Sequence, residues 1–89
     1  MRTVEKLEAL TALAERMGYG IRYEPLAGLG GGVCQFGGKQ WLFLDLNLTV
    51  TERLDLITES LQKDPSLPIN ELSDELYSHF GFSNRKSAA

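Results

Sequence analysis

The stretch that decides the fold of this sequence is Val33-Cys34-Gln35-Phe36-Gly37-Gly38-Lys39-Gln40-Trp41-Leu42-Phe43-Leu44-Asp45-Leu46. Two runs rich in β-forming residues meet at Gly37-Gly38, and a two-residue hairpin turn requires positive φ at both central positions. The stretch therefore predicts a β-hairpin. The predicted cross-strand pairs are Phe36–Lys39, Gln35–Gln40, Cys34–Trp41 and Val33–Leu42.

This hairpin has two different faces, because side chains alternate along a strand. One face, called here the aromatic face, is defined by Cys34, Phe36, Trp41 and Phe43, with Lys39 and Asp45 on the same side. The opposite, aliphatic face carries Val33, Gln35, Gln40, Leu42, Leu44 and Leu46. Neither face is polar enough to lie simply in water. The aliphatic face suits a layer of helices, so the aromatic face is expected to meet a helix of the same chain or another molecule.

Length and composition indicate one small globular domain. The chain has 89 residues, of which 43% are hydrophobic and 24% charged, and this balance is typical of a folded protein. We expect a single α+β domain over residues 1–82 and a disordered tail over residues 83–89.

Charge and hydropathy exclude several classes of function. The nine basic and twelve acidic residues are scattered and give a net charge of −3, so no basic patch predicts nucleic-acid binding. The longest apolar run, 41–44, is far too short to cross a membrane. A single cysteine and a charged N-terminal segment favour a reducing, cytoplasmic location.

The rest of the chain predicts three helices and one more strand. Helix signals cover residues 4–17, capped by Thr3 and ended by Gly18, and a short strand follows over 20–24. A capping box at Thr49 and Glu52 begins a second helix that extends to about residue 63. A third helix is predicted over 69–80, ended by Gly81. The predicted fold class is α+β, a three-stranded antiparallel sheet with three helices in the order α-β-β-β-α-α.

The second helix has a clear buried side. Leu54, Ile57 and Leu61 fall within one narrow arc at 100° per residue, together with Val50, and are predicted to be core residues. Glu59 lies opposite that arc and is expected to face solvent.

A glycine-rich segment, Gly28–Gly32, precedes the hairpin. A dinucleotide fingerprint needs glycines that leave a strand and open a helix, where the helix N-terminus meets the phosphate. Here the glycines lead into a strand, which favours a structural loop. A small-molecule site at this loop remains an alternative.

Catalytic and metal chemistry have few candidate residues. Cys34 is the only cysteine and His79 the only histidine. A thiol nucleophile needs a base within reach, and a structural zinc site takes four Cys or His ligands. We therefore expect no catalytic residue, no metal site and no cofactor.

The junction of hairpin and second helix is similar to a known pattern. A small-residue hairpin ends in a strand, 41–45, and a capped turn leads into a helix that begins Glu52-Arg53-Leu54. Over residues 3–63 this layout resembles the N-terminal part of ImmA/IrrE-type zinc peptidases. It resembles still more a set of small, uncharacterised bacterial proteins that keep the layout without the metal.

That resemblance implies a scaffold without the peptidase site. Where the family carries His-Glu-x-x-His, this chain reads Thr58-Glu59-Ser60-Leu61-Gln62. Only Glu59 matches, at the position of the general base, and both metal-binding histidines are absent. Without zinc, a lone glutamate has no activated water to deprotonate.

The leading functional hypothesis is therefore a non-catalytic protein that acts by association through the aromatic face. The alternatives are a degenerate peptidase relative and a small-molecule binder. An exposed aromatic surface marks an interface, and a symmetric homodimer is favoured over another protein as partner. The competing interpretation is that the third helix crosses to the aromatic face and buries Trp41 within the chain.

Overall fold

The structure, a computed structural model, describes residues 1–82. Its elements are α1 (Thr3–Arg16), β1 (Gly20–Glu24), β2 (Gly31–Phe36), β3 (Lys39–Asp45), α2 (Val50–Gln62), a short 3-10 helix (Ile69–Glu71) and α3 (Asp74–His79). The α+β class and the order α-β-β-β-α-α are confirmed. The predicted disordered tail, 83–89, lies outside the described residues.

The hairpin has the predicted register. β2 and β3 are antiparallel, with Val33 opposite Leu42 and Phe36 opposite Lys39. The turn residues Gly37-Gly38 have φ of 62° and 74°, as the two-residue turn requires. A local signal, the glycine pair between two β-forming runs, was sufficient to fix this part of the fold.

The sheet is mixed, so the prediction of a purely antiparallel sheet is wrong for β1. The strands lie in the order β1-β3-β2, and β1 runs parallel to β3, with Gly20 opposite Trp41 and Glu24 opposite Asp45. The reason is the path of residues 25–30. They pass over the carboxyl end of β3 and place the two edge strands on either side of it.

The core lies between the helices and the aliphatic face of the sheet. Helix α1 packs over β1, and α2 packs over β2 and β3 and against α1. Leu42 and Leu44 of the central strand are fully buried, as are Leu10, Ile57 and Leu61 of the helices. The predicted buried side of α2 is therefore confirmed, and Glu59 is exposed, as expected.

Helix ends lie where the sequence signals predict them, except at the starts of α1 and α3. Thr49 and Glu52 form the predicted capping box, at 3.1 Å and 2.8 Å. Gly18 has a φ of 103° just past α1. However, Thr3 lies inside α1, and the cap is Arg2, whose N–H donates to the Glu5 carboxylate. The Glu5 carboxylate, three residues after Arg2, therefore fixes the helix cap one residue earlier than predicted.

The predicted third helix is interrupted. Residues 69–71 form one 3-10 turn, Leu72 is extended, and α3 begins only after Ser73, whose hydroxyl accepts from the Leu76 N–H at 3.2 Å. Ser73 is a strong N-cap residue followed by two acids, which is the signal for a helix start at this point. The prediction of one helix over 69–80 followed the apolar periodicity and did not use this signal.

The C-terminal end of α3 is a Schellman motif at Gly81, the residue predicted to end the helix. Gly81 has a φ of 86°, and the Phe82 N–H donates to the Tyr77 carbonyl at 3.2 Å. The rings of Phe82 and Tyr77 lie 5.4 Å apart and supply the apolar contact that accompanies this motif.

A pair of substitutions on α2 tests the assignment of its faces. Ile57→Ala removes a fully buried side chain and should lower the free energy of unfolding by roughly 2–4 kcal/mol through cavity formation. Glu59→Ala removes an exposed carboxylate that pairs with Lys63, and should cost well under about 1 kcal/mol. Urea titrations followed by circular dichroism measure both. Equal losses would contradict the assigned helix phase.

Candidate functional site

The aromatic face is held in place by all three strands. β3 contributes Trp41 and Phe43 at the centre of the sheet, and β2 contributes Cys34 and Phe36. The parallel register of β1 adds Arg22, which lies opposite Phe43 and therefore on the same side. This arginine was not predicted as part of the face, because its position depends on a parallel pairing that no local pattern reveals.

Trp41 contacts three neighbouring side chains on this face. Its ring stacks on Phe36, with 5.5 Å between ring centroids and 12° between planes. The Lys39 Nζ lies 5.0 Å and the Arg22 guanidinium carbon 5.9 Å from its centroid, within the range of cation–π attraction. These neighbours hold the indole in one orientation.

Gly20 provides the room for this indole. A Cβ at position 20 would lie 2.5 Å from the Trp41 ring carbons, closer than any real contact. The tryptophan therefore lies flat over β1 because the residue opposite it has no side chain. A glycine facing an aromatic residue on a neighbouring strand is a known way to fix such a ring.

No element of residues 1–82 covers the aromatic face. Cys34 is exposed, Phe36 is 52% exposed, and Trp41 and Phe43 are half-buried by their own neighbours. Helix α3 packs on the opposite side, since its Leu76 belongs to the core cluster between helices and sheet. The competing interpretation, in which the third helix crosses to this face and buries Trp41, is therefore wrong.

Hydrogen bonds explain why α3 lies on the helical layer. The His79 Nε2 lies 2.8 Å from the Thr58 hydroxyl on α2, and the Gln62 side chain donates to the Phe80 carbonyl. The N-terminal amine pairs with Glu75 at 2.8 Å. Helix α3 is therefore held by contacts at both of its ends, away from the sheet.

The two candidate catalytic residues do not meet. Cys34 lies on the aromatic face, whereas His79 contacts Thr58 within the helical layer. Burial, assisted by the charge of Lys6 and opposed by that of Asp55, lowers the pKa of His79. A neutral imidazole bound to a threonine fits a structural role. Glu59 is solvent-exposed and pairs with Lys63 at 3.0 Å.

The glycine loop does hold an anion, and that anion is Asp45. The carboxylate is fully buried and accepts the N–H groups of Leu26 (3.0 Å), Gly30 (3.1 Å) and Asn47 (2.9 Å). Burial alone would raise its pKa, but these N–H donors outweigh burial and lower the pKa below the ordinary value. The amides of Gly28 and Gly30, which could otherwise contact a phosphate, are thus already used.

A groove borders the other side of the sheet. It has a volume of about 430 Å³ and lies between α2 and the edge formed by β2 and β3, with Val33 and Leu56 among its lining residues. At its end the Tyr19 hydroxyl donates to Asp64 at 2.5 Å. Burial, with this bond, raises the pKa of Tyr19 to about 12, and the same bond lowers the pKa of Asp64.

Residues 1–82 contain neither a candidate metal-binding cluster nor a candidate membrane span. In that part of the chain no three His, Cys, Asp or Glu side chains come together in a way that could hold a metal ion. Among the same residues no helix is both long and apolar enough to cross a membrane.

Comparison of the chain with protein-family models, curated proteins and solved structures finds no match. The resemblance to ImmA/IrrE-type peptidases therefore remains a prediction from the sequence, and the function has to be argued from the aromatic face itself.

Proposed function

We propose that this protein is a non-catalytic association module whose aromatic face binds a second copy of the chain. The observation that carries the proposal is the stacked Trp41–Phe36 pair lying uncovered on one side of the sheet. Aromatic residues with few rotatable bonds are the usual anchors of protein interfaces, since little conformational entropy is lost when they are buried.

Charge on the face is compatible with self-association. Arg22 forms an ion pair with Glu24 at 3.0 Å, so each copy presents both signs at the border of the face. Two copies related by a two-fold axis can exchange these partners, whereas Lys39 is held over the indole. A symmetric contact of this type closes on itself and does not extend into a fibre.

The alternative functions are less well supported by the site. A phosphate or nucleotide would compete with the buried Asp45 for the amides of Leu26 and Gly30. A hydrolytic mechanism at Glu59 would have to operate on an exposed helix side, next to Lys63. A reducing compartment such as the cytoplasm is proposed as its location, because Cys34 is exposed and unpaired.

Phe43→Glu tests the association. A carboxylate at the centre of the face should prevent two faces from packing, and the number of chains in the assembly should fall by half while the monomer stays folded. Light scattering after size exclusion gives the mass, and circular dichroism gives the fold. Val4→Glu is the matched control, because Val4 is 54% exposed on α1 and lies outside the face.

The fluorescence of Trp41 tests the same association without a mutation. Trp41 is the only tryptophan and lies within the proposed contact, so its emission reports the contact directly. On dilution the emission should shift to longer wavelength and iodide quenching should increase. A wild-type protein that stays monomeric, with Trp41 accessible at every concentration, would end the proposal.

A further inference from the structure

The outer edge of β2 is unpaired over the described residues, because β2 is the last strand in the order β1-β3-β2. In a hairpin closed by a two-residue turn, the residues that flank the turn exchange hydrogen bonds, and every second residue directs its N–H and C=O outward. Counted from Phe36, the first two outward residues of β2 are Gln35 and Val33. Their backbone groups are free to pair with another strand.

This edge lacks the usual protection against pairing. Natural edge strands carry charged side chains, proline or inward-pointing charges that keep other strands away. β2 has none of these over Gly31–Phe36, and all of its residues except Gly32 are exposed. The other edge strand, β1, carries Arg22 and Glu24 and is followed by Pro25. The two edges therefore differ in the way expected if only β2 pairs.

We propose that β2 pairs with β2 of a second copy, antiparallel, about a two-fold axis at Cys34. Val33 then lies opposite the partner's Gln35, and Gln35 opposite the partner's Val33. Each of these pairs exchanges two backbone hydrogen bonds. The two three-stranded sheets become one continuous sheet, with the helices of both copies on one side and both aromatic faces on the other.

The register follows from the aromatic residue at the end of β2. With the axis at Cys34, Phe36 lies opposite the partner's Gly32, where a Cβ would have nothing within 4 Å. The same arrangement is present within the chain, where Trp41 lies over Gly20. With an axis at Val33, Phe36 would face the partner's Gly30, which lies outside the strand.

Charge and space also suit a second copy. No charged residue lies on β2, so symmetric pairing brings no like charges into opposition along the strand. On the helical side, the groove of about 430 Å³ beside Val33 leaves room for the side chains of the added strand. Val33 is 44% exposed in the single chain and would be buried by the pairing.

This contact extends the proposed function but does not depend on it, because the edge pairs through the backbone groups of Val33 and Gln35, whereas the aromatic face packs through side chains. If both contacts form, two symmetric interfaces combine into a closed assembly of four chains. If only the edge contact forms, the product is a dimer with an aromatic surface twice as large, available to another partner.

Gln35→Pro tests the edge contact. Proline removes the outward N–H of Gln35, and the ladder with β3 does not use that group, so the hairpin should persist. Gln35→Thr keeps the N–H and is the matched control. In light scattering, Phe43→Glu should be a dimer, Phe43→Glu with Gln35→Pro a monomer, and Gln35→Pro alone a dimer held by the face.

The two proposals fail in different ways in this experiment. A Phe43→Glu variant that is folded and monomeric overturns the edge contact and leaves the face contact intact. A Gln35→Pro variant, folded by circular dichroism, that keeps the full wild-type mass also overturns the edge contact. Unchanged mass in Phe43→Glu overturns the face contact alone.

Cross-linking of the native cysteine tests the register in the unmodified protein. At the axis, the two Cys34 residues form a non-hydrogen-bonded pair with Cα atoms about 4.5 Å apart, within the range that a disulfide spans. Copper–phenanthroline accepts the two electrons and the two thiol protons are released as the S–S bond forms. Rapid formation of a cross-linked dimer is expected for the wild type and for Gln35→Thr.

The rate of this cross-linking distinguishes a pre-formed pair from chance collision. The comparison is made in the Phe43→Glu background, where the face contact cannot bring two Cys34 residues together. Adding Gln35→Pro to Phe43→Glu should lower the rate by roughly tenfold or more, because the exposed thiols then meet only by diffusion. Equal rates in the Phe43→Glu variants that carry Gln35→Pro and Gln35→Thr would overturn the proposed pairing, whether or not either variant is partly destabilised.

Discussion

Gly31→Ala is expected to destabilise the protein more than any other glycine-to-alanine substitution in residues 1–82. A Cβ at position 31 would lie 2.0 Å from the backbone oxygen of Phe43, and backbone cannot move aside as a side chain can. The φ of 101° adds strain for any residue with a Cβ. Overpacking and backbone strain each cost about 1–3 kcal/mol, so the combined loss is on the order of 4 kcal/mol.

Gly30→Ala is the matched control for this prediction. Gly30 has nearly the same φ, 96°, but nothing lies within 4 Å of its Cβ position. Gly30→Ala should therefore lower the free energy of unfolding only by the cost of backbone strain. The difference between the urea midpoints of Gly31→Ala and Gly30→Ala measures the clash with Phe43. Equal midpoints would show that β2 and β3 can move apart at position 31 with little loss of stability. A domain of this size has only about 5–15 kcal/mol in total, so Gly31→Ala should lose a large part of its stability and unfold at a much lower urea concentration than the wild type.

The hairpin illustrates what the sequence could predict. The turn, the register and the two faces all follow from residues within fourteen positions of one another, centred on Gly37-Gly38. The buried side of α2 was predictable for the same reason, since Leu54, Ile57 and Leu61 define it by their spacing. Local patterns fix local structure, and in both cases nothing distant overrode them.

The position of β1 illustrates what the sequence could not predict. The strand itself was found, but its pairing with β3 depends on residues 25–30, which cross a strand that comes later in the chain. Hydrophobic periodicity does not reveal that β3, the last strand in the chain, lies between β1 and β2. The error had consequences for the site, because Arg22 and Gly20 were not recognised as neighbours of Trp41.

Asp45 was predicted to lie on the aromatic face, and its actual role was missed. It ends β3 directly beneath the crossing loop, where its carboxylate joins Leu26, Gly30 and Asn47. Ala27 and Gly28 form the turn of this loop with φ of 57° and 82°. A charged residue after a hydrophobic strand was the available signal, but its partners lie fifteen and nineteen residues earlier.

Asp45→Asn is the second substitution with a large expected effect. One carboxylate oxygen accepts from Leu26 and Asn47, and the other accepts from Gly30. An amide offers only one acceptor, so its NH₂ group must face at least one backbone N–H in a buried site. We expect a larger loss of stability than for Ile57→Ala in the same urea titration. Glu8→Gln, an exposed acid on α1, should be neutral.

The pH dependence gives an independent test of the same carboxylate. Because the pKa of Asp45 is lower in the folded protein than its ordinary value of 3.8, its ionised form stabilises the fold above about pH 4. That contribution is lost as the pH falls through the folded pKa. Wild-type stability should therefore decline steeply below pH 4, and part of this decline should be absent in Asp45→Asn.

Three other groups with lowered pKa values can be separated by their pH range and by mutation: Asp64, His79 and Glu75, whose pKa is lowered by its bond to the N-terminal amine. Asp64, whose pKa is lowered by the Tyr19 hydroxyl, leaves a residual acid slope in Asp45→Asn that Tyr19→Phe should reduce. His79 has a lowered pKa, so protonating it opposes folding below its ordinary value of 6.5, well above the carboxylate range. Parallel losses of stability in Asp45→Asn and the wild type between pH 4 and pH 2 would contradict this prediction. Asp45 would then not hold residues 25–30 as an ionised group, and the backbone amides of those residues would be available to another anion.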